Sequence, residues 1–370
     1  MRVLVITHGN NSIYGAATSL KMLLQNCNWE YDLVYSRFIK HRTPKEDMRK
    51  YTGNTVNQLW DFFLPYAEWA VVKEFRPYKL LRSLLLKPLI FIDGFRLKKI
   101  IKEGNYDYIL LNSLVLFPLI DKHHQYVLYV REANITKGVL QKIIVQRLNK
   151  AHKLIIIDPA LIPTLPGIKS RFQVINNPFD MTEMSCYNLE DAQNRYPEID
   201  CNKVVVMIAG ILSPVKGVDF VIDAFNCIKR NDLQLVIVGK GINQRYIDYC
   251  KKIADHNEKI LFLGEQKDMK PLYMVTDYLI RAEEMFLTGR TVYEALYSGC
   301  NVLLQYKEKS DVNYMQEYKR FEDRIVLYKA REKDDLCQKL ELLPSEKVKD
   351  REFLSNIRDY CNKVTGFITE

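Results

Sequence analysis

The sequence lacks any run of eighteen consecutive apolar residues, which excludes a membrane-spanning helix. It also lacks a Cys-x-x-Cys pair, and its eight cysteines are scattered along the chain. We therefore expect reduced, structural cysteines in a cytoplasmic protein, with Cys227 and Cys250 on apolar helix stripes. The opening MRVLVITHGN is typical of a strand and has neither the apolar core nor the cleavage site of a signal peptide.

Several signatures of catalysis are missing as well. No Asp-x-Asp follows a strand-like run, no Gly-x-Ser-x-Gly occurs, and no residues have the spacing of metal ligands. The adjacent His123 and His124 are typical of a solvated turn. These absences argue against a serine hydrolase, and we expect neither a metal nor a cofactor.

Charge is distributed unevenly. The net charge is +9, and residues 1–180 hold 26 Lys and Arg against 14 Asp and Glu. A basic half joined to a mildly acidic half indicates that the basic half meets an anionic surface. Because no nucleic-acid-binding module is recognisable, we expect an anionic membrane and no nucleic acid.

Residues 204–304 carry the clearest structural pattern. Short apolar runs alternate with segments of helical period, and glycines stand where the runs end. This pattern predicts a parallel sheet with helices on both faces, which binds ligands beyond the carboxyl ends of its strands. Small or charged residues fall at those ends: Gly210, Lys216, Gly239, Gly289 and Glu294.

The first half predicts a second, less regular α/β unit. A turn of Asn and Pro at 176–180 suggests a boundary there. We predict a Rossmann-like domain over 1–180, a second over 181–345, and a C-terminal helical segment over 346–370.

Two motifs of the second half resemble those of GT-B glycosyltransferases of retaining family 4. The family's "GRL…KG" turn corresponds to GILSPVKG at 210–217, and its E-x7-E element to EEMFLTGRTVYEAL at 283–296. The resemblance implies an α/β protein of the GT-B fold, with two Rossmann-like domains facing a central cleft. It also implies that the C-terminal helix returns to the first domain.

The same resemblance assigns donor-binding roles in the second domain. Lys216, beside Gly210 in the first motif, would contact the donor phosphates and stabilise the leaving diphosphate. The helix that opens near Gly289 would present its free amides to the diphosphate. Glu294 would accept hydrogen bonds from ribose hydroxyls, or alternatively form an i,i+4 ion pair with Arg290 on a solvated face. Thr291 lies in the same first turn and is included in the expected donor site.

The chain departs from the family pattern at several points. Eight positions before Glu294 stands Phe286, so Glu284 is the preferred first glutamate of the catalytic pair and Glu283 the alternative. Ile211 replaces the arginine of the first motif, for which Arg290 and Lys240 are candidate substitutes. Gly239 and Lys240 are expected on the base side of the donor, although a lone Gly-x-Gly is a weak signal.

First-domain candidates follow strand-like runs. Gly15 matches a glycine-rich turn of the family that lies under the donor phosphates, and Ala16 replaces its common second glycine; alternatively the two residues belong to an ordinary loop. Arg131 stands where the family has a histidine, and we expect it to bind an anionic acceptor or donor sugar in a catalytic role. Three further residues are expected on the acceptor side: Asn112, Ser113 and His8.

Residues 78–102 mix leucines with seven cations. They predict either an interfacial helix on an anionic membrane or a pair of core helices broken at Pro88.

Together these observations predict a retaining glycosyltransferase that moves a sugar from a nucleotide diphosphate sugar to an acceptor hydroxyl. The resemblance implies bacterial surface polysaccharide or glycolipid synthesis, with a glycan or lipid-linked acceptor and a location on the inner face of the cell membrane. Because of the departures, a non-catalytic nucleotide- or glycan-binding scaffold is the principal alternative. A nucleotide-sugar epimerase of the same fold is a further one.

Overall fold

The computed structural model describes residues 1–8, 15–37, 43–53, 55–65, 81, 84–132, 137–283, 288–348 and 351–370. The chain divides into two compact units, one of Met1–Pro178 with Asn356–Glu370 and one of Phe179–Ser355. The sequence placed these divisions after residues 180 and 345.

The first unit is built on seven parallel strands in the order β3-β2-β1-β4-β5-β6-β7. Their bounds are β1 Arg2–Thr7, β2 Glu30–Ser36, β3 Leu59–Phe62, β4 Tyr108–Leu111, β5 Tyr126–Val130, β6 Lys153–Ile156 and β7 Arg171–Val174. The inner strand β1 aligns Val5 with Leu33 of β2 and with Leu110 of β4. Continuous apolar strands of this kind belong inside a sheet that is covered on both faces.

The second unit is built on six parallel strands in the order β10-β9-β8-β11-β12-β13. Their bounds are β8 Val204–Ala209, β9 Leu233–Val238, β10 Ile260–Gly264, β11 Tyr278–Arg281, β12 Asn301–Tyr306 and β13 Ile325–Lys329. Val205 and Met207 face one buried cluster, and Val206 and Ile208 face the other. Two cores on opposite faces confirm the predicted doubly covered sheet.

Eleven helices stand among the described residues. They are α1 Gly15–Asn26, α2 Lys45–Tyr51, α3 Lys87–Glu103, α4 Val139–Leu148, α5 Leu189–Arg195, α6 Val218–Cys227, α7 Gln244–Ala254, α8 Lys270–Val275, α9 Arg290–Tyr297, α10 Lys333–Glu341 and α11 Ile357–Thr369. Short 3-10 helices span Leu114–Leu119, Pro159–Thr164, Thr182–Cys186, Pro214–Lys216, Lys309–Tyr314, Tyr318–Arg320 and Glu322–Arg324. Within the described ranges, no helix is both long enough and apolar enough to cross a bilayer.

The C-terminal helix α11 belongs to the first unit, as the resemblance implied. Its buried side chains join the core that contains α1 and β1. Lys153 donates from Nζ to the Ile368 carbonyl at 2.8 Å, and the Tyr129 and Tyr360 hydroxyls are 2.9 Å apart. The helix is therefore held both by apolar burial and by hydrogen bonds to β5 and β6.

Two expectations about helices can be compared with the structure. The break expected at Pro88 falls just before it, since Leu84 and Leu85 are helical, residue 86 is a turn, and α3 begins at Lys87. Pro88 lies in the first turn of α3, where its missing N–H would have no intrahelical partner. Cys250 is buried as expected, but Cys227 is the last residue of α6 and is exposed. Cys227 lies off the apolar stripe of α6, on which Ala224 and Phe225 are buried and which the buried Ile228 continues.

Candidate functional site at the carboxyl edge of the second sheet

The order of the second sheet brings the predicted donor residues to one edge. Because β8 pairs with both β9 and β11, the segments that follow these three strands are neighbours. They contain Gly210 after β8, Gly239 after β9 and the turn into α9 after β11. The amide of Gly210 donates to the Val238 carbonyl at 3.0 Å, which ties the first two segments together.

Gly239 is required by a close backbone approach. A Cβ atom on Gly239 would lie 1.7 Å from the Gly210 carbonyl oxygen, and Gly239 has a φ of +142°. Gly210 itself has a φ of +129°, a region that side chains rarely adopt. Lys240 is exposed on the same loop. The two glycines thus shape the edge itself, and the role of this loop beside a base stays a prediction.

Lys216 is held against the end of β11. Its Nζ lies 2.5 Å from Oε2 of Glu283, and their side chains are 36% and 13% exposed. The next residue, Gly217, has a φ of +67°, and a Cβ there would lie 2.5 Å from the Ala282 carbonyl oxygen. This glycine allows the lysine turn to approach the strand end.

Arg281 is a site residue that the sequence analysis missed. Its Nη2 lies 2.9 Å from the same Oε2 of Glu283, and its side chain is only 10% exposed. A Cβ on Gly289 would lie 1.9 Å from Nη1 of Arg281, so Gly289 leaves the space that this guanidinium occupies. The available signal is a cation at the end of an apolar run, directly before two glutamates.

Glu283, the alternative first glutamate, is therefore paired with two cations. Gln305 of β12 donates from Nε2 to the Glu283 backbone carbonyl, which fixes this turn. The preferred candidate Glu284 and the departure at Phe286 lie outside the described residues.

Glu294 stands on α9 between two donors. Arg290 Nε lies 2.7 Å from Oε1 in an i,i+4 pair whose side chains are 17% and 20% exposed. The Tyr273 hydroxyl donates to Oε2 at 3.1 Å. The alternative ion pair is therefore present, but on a mostly buried face. Burial, and then the Glu294 charge, raises the pKa of Tyr273 well above its usual value, so the phenol stays protonated and donates.

Arg290 and Thr291 lie in the first turn of α9. Arg290 also stacks over Phe179, with its guanidinium carbon 4.8 Å from the ring centroid. Thr291 is half-buried.

In the first unit, Arg131 is joined to the start of α1. Arg131 Nη1 donates to Asn177 Oδ1 at 2.7 Å, and the Ser19 hydroxyl lies 3.1 Å from the same oxygen. Ser19 also lies 2.9 Å from the carbonyl oxygen of Gly15, which begins α1. Nε and Nη2 of Arg131 are buried and have no hydrogen-bond partner within the described part of the chain. Ala16 follows Gly15 on α1 and is half-buried.

The predicted acceptor-side residues have mainly internal contacts. Ser113 is fully buried, caps the 3-10 helix at Leu114–Leu119 and hydrogen-bonds Glu132. Glu132 also accepts from the Leu114 amide at 3.0 Å, and burial raises its pKa. Asn112 is buried, with Nδ2 3.4 Å from the Thr7 hydroxyl. Ser113 and Glu132 thus have a structural role, while His8 lies half-buried just after β1.

The described residues contain no group of three or more His, Cys, Asp or Glu side chains that could hold a metal ion.

Comparison with known proteins identifies the second unit. Residues 202–343 match the family model for glycosyl transferases group 1. The match covers most of the second unit. The chain as a whole has the GT-B fold of glycosyltransferases, as its two parallel sheets and solved structures of similar fold show. No curated protein sequence matches the chain significantly.

The similar structures have low sequence identity. Anabaena HepE, solved in complex with UDP and glucose, has a TM-score of 0.70 and 15% identity, with 99% of each chain covered. A glycosyltransferase from Rickettsia africae has a TM-score of 0.65 and 14% identity, covering 99% of this chain and 89% of its own. The lipopolysaccharide outer core galactosyltransferase WaaB has a TM-score of 0.63 and 12% identity, covering 99% and 100%.

Replacing Gly239 by alanine should strongly lower the unfolding temperature. The new Cβ would overlap the Gly210 carbonyl oxygen, so we expect a cost of about 3 kcal/mol or more from backbone strain and displaced strands. Gly264→Ala is the matched control, since its φ is +71° but nothing lies within 4 Å. That control should cost about 1–2 kcal/mol. Equal melting midpoints of the two variants in circular dichroism would contradict the close-approach explanation.

Proposed function

We propose that this glycosyltransferase moves a sugar from a nucleotide diphosphate sugar to an acceptor hydroxyl with retention of configuration, as family 4 enzymes do. The observation that carries this proposal is the shared carboxyl edge of the second sheet. Lys216, the start of α9 and Glu294 stand there in a group 1 domain. A cation and free helix amides suit a diphosphate, and a carboxylate suits ribose hydroxyls.

The main task of the protein in this reaction is to stabilise the charge that develops on the leaving group. The bond from the anomeric carbon to the diphosphate oxygen breaks, and the anomeric carbon bonds to the acceptor oxygen. The acceptor proton leaves with the nucleoside diphosphate. Negative charge grows on the departing oxygen, so Lys216 and the α9 amides stabilise the transition state more than the bound donor.

Arg131 is proposed to contact an anionic group on the transferred sugar or the acceptor. Its Nε and Nη2 are buried without a hydrogen-bond partner among the described residues, and such donors favour a ligand that completes them. Because HepE was solved with UDP and glucose, a uridine diphosphate sugar is the first donor to test. The proposed setting is bacterial surface polysaccharide or glycolipid synthesis, with a glycan or lipid-linked acceptor.

The protein should bind a nucleoside diphosphate through Glu294. A calorimetric panel of UDP, GDP and ADP should show binding, and Glu294→Gln should weaken it about tenfold because a charged acceptor for ribose is lost. Glutamine still accepts from the Tyr273 hydroxyl, so folding should be preserved.

Glu317→Gln is the matched control for this experiment. Glu317 likewise accepts from a tyrosine hydroxyl, that of Tyr297 at 2.6 Å, and lies 3.6 Å from Arg320. Its replacement should leave affinity unchanged. Equal affinities of the wild type and Glu294→Gln would refute the ribose role. A protein that binds UDP but never consumes any UDP-sugar, with or without acceptor, would be a scaffold and not an enzyme.

Transfer should persist in EDTA. The proposed mechanism stabilises the diphosphate with side-chain cations and helix amides, so it needs no divalent ion. The test compares turnover of the identified nucleotide sugar before and after chelation. Loss of turnover that Mg²⁺ or Mn²⁺ restores would show that a metal ion carries part of this role.

We further propose that the first unit docks on the inner, anionic face of a membrane through α3. Only Asp93, Leu97 and Ile101 of this helix are buried. The opposite side of the helix exposes large apolar side chains: Leu89 41%, Phe91 67%, Ile92 50% and Phe95 58%. Leu84 and Leu85, just before the helix, are exposed as well, at 44% and 72%. One or two turns further, the same face carries the exposed Lys98, Lys99 and Lys102. Exposed aromatics bordered by lysines match a helix lying in an anionic lipid interface.

Vesicle binding should depend on both the apolar and the basic side chains of this face of α3. The protein should co-sediment with vesicles that contain phosphatidylglycerol and be released as salt rises. Phe91→Ala with Phe95→Ala should weaken binding, since their apolar area enters the lipid. The triple reversal Lys98→Glu, Lys99→Glu and Lys102→Glu should abolish it, at about 1 kcal/mol per lost cation.

Reversing Lys251 and Lys252, which are exposed at the end of α7, controls for net charge. This double variant should still bind the vesicles. Equal sedimentation with neutral phosphatidylcholine vesicles, or none with either, would contradict membrane docking.

A further inference from the structure

Two cations of the second unit converge on one carboxylate oxygen. Lys216 Nζ lies 2.5 Å and Arg281 Nη2 lies 2.9 Å from Oε2 of Glu283. The cations come from different segments, one from the turn after β8 and the other from the last residue of β11. Because both cations contact the same oxygen, the ammonium and guanidinium groups are close neighbours.

Two glycines allow this convergence. Gly217 brings the lysine turn against Ala282, and Gly289 leaves room for the Arg281 guanidinium at the start of α9. With side-chain exposures of 10% for Arg281 and 13% for Glu283, both groups are largely withdrawn from water. A cation in such a place needs an anion beside it. Glu283 meets that need in the structure described.

A carboxylate oxygen is a chemical stand-in for a phosphate oxygen. Lysine binds a phosphate as a point charge, and the arginine fork binds two of its oxygens. The position of the missing family arginine is occupied by Ile211, which is 53% exposed. Of the two substitutes expected from the sequence, Arg290 is engaged with Glu294 and Lys240 is exposed on the next loop.

We propose that Arg281 is the second cation of the diphosphate site, and that Glu283 holds Arg281 and Lys216 together until a phosphate oxygen takes the place of its Oε2. This assignment rests on the proposed function, because it assumes a nucleotide diphosphate ligand. It makes Glu283 an internal competitor of the donor. The two residues of one ion pair must then affect diphosphate affinity in opposite directions.

The test measures UDP affinity by calorimetry in three variants. Arg281→Gln should weaken UDP binding tenfold or more, because a charged contact to the phosphates is lost. Glu283→Gln should strengthen it several-fold, because the competing carboxylate is gone while the shape is kept. Arg281→Lys, which keeps the charge but loses the fork, should fall between wild type and Arg281→Gln, and it serves as the test if Arg281→Gln does not fold.

Two controls show whether the effects come from the phosphate contact. Lys252→Gln removes one exposed cation at the end of α7 and should leave UDP affinity unchanged. Uridine, which has no phosphate, should bind all variants equally.

The assignment would be overturned if UDP affinity were unchanged in both Arg281 variants. It would also be overturned if Glu283→Gln weakened binding as Arg281→Gln does, since the three side chains would then form only a structural cluster. Failure of the wild type to bind UDP, GDP or ADP is a different result, which overturns the proposed function and this assignment with it.

Discussion

The shared oxygen of Glu283 is the contact on which the candidate site depends. It draws Lys216, from the turn after β8, and Arg281, from the end of β11, to one point. A Cβ at Gly217 would lie 2.5 Å from the Ala282 carbonyl oxygen, so a side chain there would push the lysine turn away from the strand end. A Cβ at Gly289 would lie 1.9 Å from Arg281 Nη1 and would displace the guanidinium. The two glycines thus help to position the two cations.

Glycines and paired side chains also position the neighbouring parts of the site. Gly210 and Gly239 let the first two strand ends touch, and Tyr273 with Arg290 fixes the carboxylate of Glu294 on α9. Lys216 and Glu294 are each held by a residue from another segment of the same unit. In the proposed site Lys216 and Arg281 are therefore in place before a ligand binds, and only the Glu283 carboxylate has to move.

Periodicity was sufficient to predict both sheets, because buried parallel strands are short and continuously apolar. The sequence analysis singled out Lys216, Gly289 and Glu294 because their motifs are local along the chain, and their roles toward a donor stay predictions. Arg281 was missed because its position matters only in relation to Lys216. These two residues are 65 positions apart in the sequence and meet in space through Glu283, which no local pattern records. The helix break next to Pro88 was predictable because a proline lacks the N–H that a helix interior needs, and the structure has it in the first turn of α3.

A crystal structure of the protein soaked with UDP tests the central claim most directly. The account predicts a phosphate oxygen within about 3 Å of both Lys216 Nζ and the Arg281 guanidinium, with the Glu283 carboxylate displaced from Lys216. It also predicts the ribose hydroxyls against Glu294. UDP bound elsewhere, or bound at this edge while Glu283 keeps both cations, would contradict it.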